Sequence, residues 1–268
     1  MLSSDMAGPS VSPTRPAFPY MGGKKLLAKT IITEIVKIPH DLYGEPFIGG
    51  AGVFLRRPAP VKTEVINDLN RDVATFFRVL QRHEQAFFDM LKWRLSGRAE
   101  FERLMKQDPE TLTDLERSAR FLYLQRLAVG GLVADRHFGV TRTGGPRFNL
   151  PRLVPVLEEI HERLSHVVIE CLPYEAFIAR YDRPGALFYL DPPYYGCETY
   201  YGRGIFARAD FGRLAEILGD IKGRFIMSLN DVPAIREIFS AFALRQVETT
   251  YTGGQAQRTP ATELLISN

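Results

Sequence analysis

The stretch ALFYLDPPY, residues 186–194, is an apolar run that ends abruptly in a carboxylate, two prolines and an aromatic ring. The run up to Leu190 has the composition of a strand buried on both faces, and the prolines end it because they lack the N–H that a sheet requires. Asp191 and Tyr194 are therefore expected at the carboxyl end of a strand, where open α/β sheets bind ligands. An ordinary strand followed by a turn is the weaker alternative, since a lone Asp-Pro would suffice for it.

The overall composition is that of a globular protein in solution. The chain has 268 residues, 45% hydrophobic and 24% charged, which suits one α/β domain with a smaller inserted domain. No apolar run approaches the length of a membrane span, and residues 1–14 lack the order of a secretory signal. We therefore expect a cytoplasmic protein that does not bind membranes. Cys171 and Cys197 are the only cysteines and suggest neither a disulfide framework nor a metal site.

The net charge of +3 is mild, but one segment concentrates arginine. Residues 117–152 carry seven arginines against Asp135 alone, a local charge of +6 (7 − 1), so the remainder is net acidic by three (3 − 6). Arginine suits bidentate contacts to phosphate or guanine better than lysine does. On composition alone, nucleic-acid binding and a solvated basic face are equally good interpretations. The seven are Arg117, Arg120, Arg126, Arg136, Arg142, Arg147 and Arg152.

A glycine-rich segment, LYGEPFIGGAGVFL at residues 42–55, reads as a short strand, a loop and the start of a helix. Its glycines let the backbone approach a bound group closely, and the absence of GxGxxG disfavours a plain dinucleotide site. The next predicted strand, residues 63–67, ends at Asp68, which is 19 positions after Gly49 (68 − 49). An acidic residue meets a cofactor ribose at about this interval in nucleotide-binding βαβ units, so the two features together favour a nucleoside-bearing cofactor.

The chain divides into four predicted parts. Residues 1–15, rich in Ser, Pro and Gly, are expected to form a disordered leader. Residues 16–83 contain PYMGGKKLL and the glycine segment and should form the cofactor-binding part of an α/β domain. Residues 84–150 show helical spacing and then a glycine- and arginine-rich stretch, without strand and helix alternation, which predicts an inserted domain. Regular α/β order resumes over residues 151–268, the catalytic part of the α/β domain.

In chain order, PYMGGKKLL, EPFIGGAGVF, INDLN, FNLPR, DPPYYG and ELLISN closely resemble the DNA adenine-N6 methyltransferases of the Dam type. The resemblance runs from about residue 20 to residue 268. It implies an α/β, Rossmann-like sheet with a mainly helical inserted target-recognition domain. It also implies S-adenosyl-L-methionine as the cofactor and double-stranded DNA as the partner of a site-specific enzyme that is a monomer or weak dimer. Nothing in the chain is typical of a nuclease, so modification without restriction in the same polypeptide is expected.

The residue types at the opening stretch fit that chemistry. An exocyclic adenine amine is a poor nucleophile because its lone pair is delocalised into the ring. The carboxylate of Asp191 and the carbonyl of Pro192 can each accept one N6–H bond. By the resemblance, Tyr194 stacks on the target adenine, which must leave the duplex because its amine is otherwise paired. Direct transfer from a sulfonium chiefly needs alignment, and neither a metal nor a covalent cysteine is required.

The resemblance assigns roles to the catalytic and cofactor-binding candidates, whereas the DNA-contact candidates come from the arginine-rich segment. The catalytic motif is Asp191, Pro192, Pro193 and Tyr194. The residues expected to bind the methyl donor are Tyr20, Gly22, Gly23, Lys24, Glu45, Pro46, Phe47, Gly49, Gly50, Asp68 and Asp191. Within that set Asp68 is assigned to the ribose hydroxyls, and Lys24 to either the cofactor or a DNA phosphate. The expected DNA contacts are Arg126, Arg136, Arg142 and Arg147.

Other functions stay open at this stage. Adenine in structured RNA would use the same chemistry, and the basic insert fits either polymer. A catalytically silent DNA-binding paralogue is a further alternative, although its motif would be expected to be eroded and this one is intact. Asp191 argues against cytosine N4 as the acceptor, since Ser is typical there. The Asn-Gly-Leu that accompanies GATC recognition in the Dam proteins has no match at residues 130–136, so GATC is not the expected target sequence.

Overall fold

The computed structural model describes residues 12–58, 60–139, 147–202, 204–252 and 258–268. Within these ranges seven strands form one mixed sheet; they are β1 (Leu42–Glu45), β2 (Thr63–Asn67), β3 (Val167–Glu170), β4 (Ala186–Leu190), β5 (Arg224–Asn230), β6 (Ala243–Thr252) and β7 (Arg258–Ser267). Their order in the sheet is β3-β2-β1-β4-β5-β7-β6. Strand β7 is antiparallel to both of its neighbours, and the other pairings are parallel.

Helices cover both faces of this sheet, which confirms the α/β, Rossmann-like expectation. They are α1 (Ala28–Lys37), α2 (Arg71–Arg82), α3 (Glu84–Leu91), α4 (Arg98–Lys106), α5 (Asp114–Leu127), α6 (Leu150–Leu164), α7 (Tyr174–Tyr181), α8 (Asp210–Asp220) and α9 (Pro233–Ile238). None of the helices in the described ranges is long and apolar enough to cross a membrane. Five of them, α2 to α6, lie between β2 and β3 along the chain.

Strand β4 separates two hydrophobic clusters. Leu187 and Tyr189 belong to the cluster on one face, together with side chains of α1, α2, α5 and α6. Phe188 and Leu190 belong to the cluster on the other face, with side chains of α7, α8 and α9. Every residue of β4 is buried, which confirms the strand covered on both faces and explains why its sequence shows no polar alternation.

The helices between β2 and β3 share the first cluster with the sheet. Phe76 of α2, Phe87 of α3, Phe101 of α4, Phe121 of α5 and Leu157 of α6 all belong to it. The hydrophobic core is therefore continuous across the predicted boundary at residues 83 and 84, and the role of residues 84–150 in target recognition stays a prediction.

The leader and the glycine segment differ from expectation. The backbone N–H of Thr14 donates to the carbonyl of Leu55 at 2.8 Å, so the chain is already held against the domain at a residue predicted to be in a disordered leader; residues 1–11 lie outside the described ranges. The glycine segment does not open into an α-helix but into a single 3-10 turn, Phe54–Arg56. The N–H groups at the start of an α-helix, which the sequence predicts after the glycine loop, are therefore absent at this place in the described chain.

Parallel pairing brings three acidic residues to one edge of the sheet. Glu45 is the last residue of β1, Asp68 follows β2 and Asp191 follows β4. Strand β1 pairs with both other strands in parallel, so these carboxylates emerge at the same edge. Lys24 reaches that edge from the loop before α1.

Candidate active site

Lys24 and Asp191 form the centre of the site. The Lys24 Nζ atom lies 2.7 Å from Asp191 Oδ1 and 3.9 Å from Glu263 Oε2, and the lysine side chain is almost wholly buried. Asp191 keeps 21% of its side chain exposed. Burial raises the pKa of Asp191 to about 6, while the Lys24 charge and hydrogen bond oppose that rise and the charge of Glu263 adds to it. The carboxylate is thus ionised at neutral pH.

The same lysine connects Asp191 to Tyr194. Lys24 Nζ donates to the Tyr194 hydroxyl at 2.7 Å and to the Gly22 carbonyl at 3.0 Å. It also lies 4.6 Å from the centroid of the Tyr194 ring, within the range of a cation–π contact. The Lys24 ammonium group is therefore held between the Asp191 carboxylate and the Tyr194 ring. Lys24 and Tyr194 are 170 positions apart in the sequence (194 − 24).

A second group steadies Asp191 from the neighbouring strand β5. Ser228 Oγ donates to Asp191 Oδ1 at 3.2 Å and shares a hydrogen bond of 2.8 Å with the Tyr189 hydroxyl. Ser228 is fully buried, so its hydroxyl is not drawn away by solvent and holds the Asp191 carboxylate in one orientation. Sequence reasoning missed Ser228, because a serine inside a predicted strand carries no signal of its own.

Glu45 is the most strongly perturbed carboxyl at this edge. Burial raises its pKa to about 8, and the charge of Asp191 adds to the rise, whereas the Tyr43 hydrogen bond and the charge of Arg57 oppose it. The Tyr43 hydroxyl donates to Glu45 Oε1 at 2.6 Å. Glu45 is therefore protonated at neutral pH in the absence of a bound cation, and a cation placed beside it would favour release of the proton.

Asp68 is held rigidly by backbone groups. Its Oδ2 accepts from the N–H of Gly49 at 2.9 Å and its Oδ1 from the N–H of Asn70 at 2.8 Å. Burial raises the pKa of Asp68 to about 6, against the effect of these two bonds. The interval of 19 positions between Gly49 and Asp68 thus corresponds to a direct contact, because the Asp68 carboxylate bonds the glycine loop to the end of β2.

Tyr20 lies against the glycine loop. A Cβ atom on Gly49 would come within 2.7 Å of Tyr20 Cε1, and one on Gly50 within 2.9 Å of Tyr20 Cβ. Gly49 also has a φ of +47°, which glycine adopts at little cost. Both the close approach of the ring and the backbone angle therefore require glycine at position 49.

Several of these residues line a cavity of about 670 Å³. A smaller pocket of about 30 Å³, which Asp68, Asn70 and Pro193 help to line, adjoins it through Tyr20 and Asp191. The carbonyl of Pro46 accepts a hydrogen bond from Asn67 Nδ2 at 2.9 Å, which attaches the start of the glycine loop to the end of β2. The predicted donor residues that line the larger cavity are Tyr20, Gly22, Gly23, Lys24, Glu45, Phe47, Gly49, Gly50 and Asp191.

Comparison with known proteins identifies the family. A family model described as D12 class N6 adenine-specific DNA methyltransferase matches residues 20–253. The chain belongs to this family. The Dam-type resemblance of its motifs is thereby confirmed, and the protein is an adenine-specific DNA methyltransferase.

Three relatives illustrate the similarity. The Type II methyltransferase M1.LlaDCHI of Lactococcus lactis subsp. cremoris is 27% identical over 274 residues, which cover 95% of each chain. The Type II methyltransferase M.CviBI of Paramecium bursaria Chlorella virus NC1A is 23% identical and covers 86% of this chain and 92% of its own. The DNA N-6-adenine-methyltransferase of Escherichia phage P1 is 25% identical over 86% of this chain but only 32% of its own length.

The arginines expected to contact DNA in this methyltransferase occupy different environments. Arg126 and Arg147 line the large cavity. Arg126 also donates to the carbonyl of Arg147, and Arg147 to the carbonyl of Ala128. Arg136 donates to Gln125 at 3.1 Å and lies over the Phe121 ring, and burial lowers its pKa to about 10. Its predicted contact with DNA is not tested by this arrangement; Arg142 lies outside the described residues.

Two other arginines of the basic segment have a structural role. Arg117 and Arg120 are buried, and Arg117 Nε lies 2.5 Å from Asp72 Oδ1 while Arg120 Nη1 lies 3.9 Å from Asp72 Oδ2. The local charge counted along the chain therefore overstates the basic surface, because Asp72 of α2 neutralises part of it.

Proposed function

We propose that the methyltransferase transfers a methyl group from S-adenosyl-L-methionine to the N6 amine of an adenine flipped out of double-stranded DNA, with Asp191 and the Pro192 carbonyl as acceptors for the amine. The observation that supports this most is the position of Lys24 Nζ, 2.7 Å from both Asp191 Oδ1 and the Tyr194 hydroxyl and 4.6 Å from the ring. A nitrogen donor is already accommodated between the carboxylate and the ring. A target adenine would use the same two groups, with its amine donating to Asp191 and its ring stacking on Tyr194.

The residues present fit a nucleoside-bearing sulfonium donor. Asp68 offers a buried carboxylate whose orientation is set by two backbone N–H groups, and a carboxylate so placed can accept from ribose hydroxyls with its remaining lone pairs. The cavity of about 670 Å³ runs from Asp191 past Glu45 and the glycine loop, and Glu45 would favour an ammonium group beside it. When bound, the donor supplies an activated methyl group and needs no further acid catalysis.

Asp191 performs the charge-dependent part of the reaction. As the amine attacks, positive charge develops on N6, and an ionised carboxylate in hydrogen-bond contact stabilises it. The N6 proton is then lost, and Asp191, whose pKa of about 6 lies just below neutrality, can accept it. Lys24 keeps the carboxylate ionised beforehand and has to give up its place beside Asp191 Oδ1 when the amine enters.

The test is a product assay. The protein is incubated with labelled S-adenosylmethionine and mixed-sequence double-stranded DNA, the DNA is digested to nucleosides and the product is identified by mass. N6-methyladenine is expected from duplex DNA. Its absence from duplex DNA, with methylation of a structured RNA in the parallel reaction, would overturn the DNA assignment. The two relatives named Type II methyltransferases support a role in restriction–modification.

A further inference from the structure

Glu263 is a second carboxylate beside Lys24, and the reaction described so far gives it no role. It lies in β7 and is buried. Its Oε2 atom is 3.9 Å from Lys24 Nζ, whereas Asp191 Oδ1 is 2.7 Å from the same nitrogen. Lys24 is buried as well, so its ammonium group lies between two carboxylates and away from solvent.

Backbone pairing on both edges of β7 fixes the position of Glu263. The residue pairs with Asn230 of β5 on one side and with Val247 of β6 on the other. The Asn230 side chain bonds the backbone N–H and the backbone carbonyl of Tyr195, each at 3.0 Å. Because Tyr195 directly follows Tyr194, the strand that carries Glu263 is connected through β5 to the catalytic turn.

Lys24 is the member of this group that can move. Its backbone is held at the start of α1, where its carbonyl accepts from the N–H of Ala28 at 2.7 Å, but its ammonium group is carried on a flexible four-carbon stem. Charge-assisted bonds between nitrogen and oxygen are about 2.7–2.9 Å long, so a shift of Nζ by about 1 Å would bring it into direct contact with Glu263. The ammonium group can therefore leave Asp191 and stay paired with a carboxylate.

The charges around Asp191 require such a second partner. Moving a buried ammonium group away from its only counter-charge is strongly unfavourable. Glu45 does not offer one, because burial raises its pKa to about 8 and it keeps its proton at neutral pH. Glu263 does act as a charge at this place, because it raises the pKa of Asp191 while Lys24 lowers it. With Lys24 balanced by Glu263, the charge of Asp191 is left for the substrate amine.

We propose that Glu263 is a positioning residue that receives the Lys24 ammonium group when the adenine amine takes its place on Asp191. This rests on the proposed function, because the amine is what displaces the lysine. Glu263 touches neither substrate nor donor and acts through Lys24. The step exchanges ion-pair partners and involves no covalent bond. In the alternative, Glu263 only stabilises the buried lysine and contributes to the fold.

Glu263→Gln tests the inference, because it removes the charge and keeps the size of the side chain. In steady-state assays with duplex DNA at saturating donor, kcat/KM should fall about 10- to 100-fold on the neutral plateau, since Lys24 then stays on Asp191. The acidic limb of the pH profile should move to lower pH, because the charge of Glu263 raises the pKa of Asp191. Glu263→Asp keeps the charge and should recover part of the rate. Donor affinity, measured by calorimetry, should stay within about twofold of wild type.

Glu248→Gln is the matched control. Glu248 is an exposed glutamate of the neighbouring strand β6, and it follows Val247, the partner of Glu263, so its side chain points to the other face of the sheet. Its rate and pH profile should equal those of wild type. A plateau rate in Glu263→Gln within about twofold of wild type, even with reduced thermal stability, would assign Glu263 to the fold alone and overturn the inference.

The coupling also has a readout that needs no activity. In protein labelled with carbon-13 at the aspartate carboxyl groups, the Asp191 signal is identified by its loss in Asp191→Asn and titrated without DNA. It should titrate at lower pH in Glu263→Gln than in wild type or Glu248→Gln, and an unchanged titration would also overturn the inference. Absence of N6-methyladenine in the wild-type product assay would instead refute the proposed function, so the two failures are distinguishable.

Discussion

Two buried ion-pair clusters near strand β1 use their charges in different ways. In the first, Glu64 accepts from Arg57 at 2.6 Å through Oε1 and from Arg163 at 2.5 Å through Oε2 and 2.9 Å through Oε1. Both arginines also stack on rings, Arg57 over Tyr43 at 3.6 Å and Arg163 over Phe54 at 3.9 Å. This cluster, which we call the Glu64 cluster, is enclosed on all sides.

In the active-site cluster of Lys24, Asp191 and Tyr194, the carboxylate is less fully paired with cations than Glu64 is. Lys24 and Ser228 both bond Asp191 Oδ1, and the carboxylate keeps 21% of its side chain exposed. A lysine is a single point charge on a flexible stem, whereas the arginine fork matches both oxygens of a carboxylate. The Glu64 cluster is therefore suited to a purely structural role, whereas the active-site carboxylate can exchange one nitrogen donor for another.

The largest effect is expected from breaking the Glu64 cluster. Glu64→Gln removes the buried carboxylate charge that both Arg57 and Arg163 contact, which should lower the free energy of unfolding by about 3–5 kcal/mol. Chemical denaturation measures it. Glu34→Gln is the control, because Glu34 pairs with Lys37 at the surface and surface pairs contribute about 0–1 kcal/mol. A decrease no larger than that surface range in Glu64→Gln would contradict the structural role.

The active-site cluster should instead control the rate. Asp191→Ala removes the acceptor for the amine, and turnover should fall several hundred-fold, equivalent to about 3–4 kcal/mol of electrostatic stabilisation. Steady-state assays with labelled donor measure it, with thermal unfolding to check the fold. Glu64→Gln, assayed well below its melting temperature, should retain its turnover within about twofold. Near-normal turnover in Asp191→Ala would refute the acceptor role.

Asp68 should affect binding of the donor more than chemistry. Asp68→Ala removes a carboxylate predicted to bind the ribose, and the Michaelis constant for S-adenosylmethionine should rise about 10- to 100-fold, as expected for a hydrogen bond to a charged group worth roughly 1.5–3 kcal/mol. Asp68→Asn keeps one acceptor oxygen for the backbone of the loop and separates loss of the loop from loss of the charge. A change confined to turnover would contradict the ribose assignment.

The smallest effect is a pH dependence that distinguishes the two clusters. Asp191 acts as the carboxylate, so kcat/KM for DNA at saturating donor should fall as the pH drops through about 6, by about tenfold at pH 5. Lys24 lowers the pKa of Asp191, so Lys24→Met should move this acidic limb to higher pH. Glu64→Gln should leave the limb where it is. An identical limb in wild type and Lys24→Met would show that Lys24 does not set the ionisation of Asp191.

Elements with a strong local sequence pattern are predicted best. The bounds of β2 were predicted to the residue, and those of β4 to within one residue, because both are short apolar runs with polar or proline ends. Within residues 84–150, helix α4 carries the least sequence signal, since only Phe101 and Leu104 of its residues are buried and two apolar positions give little periodicity. The glycine segment was wrongly extended into a helix, although its strand and loop were correctly predicted.

The active-site residues, too, are predictable only where the local sequence carries a signal. Asp68 and Asp191 could be found because each directly follows a strand, and parallel pairing brings strand ends together. The partner of Lys24 could not be decided, because Asp191 and Tyr194 are distant in sequence and three elements have to assemble before the lysine meets them. Arg117 likewise counts as basic surface in the sequence, and only the packing of α5 against α2 reveals its pairing with Asp72.

The sequence alone was enough for the resemblance to the adenine-N6 methyltransferases, and the reaction class follows from that resemblance. The acid, two prolines and tyrosine at a strand end, with a glycine loop and a second acid in order, are local features that can be recognised without any long-range contact. The tertiary structure alone decided the electrostatics. Burial raises the pKa of Asp191 to about 6 and of Glu45 to about 8, and burial is a property of the whole packed domain. It likewise decided which arginines neutralise Asp72 and which line the cavity beside Asp191, because charge acts through distance in space rather than position along the chain.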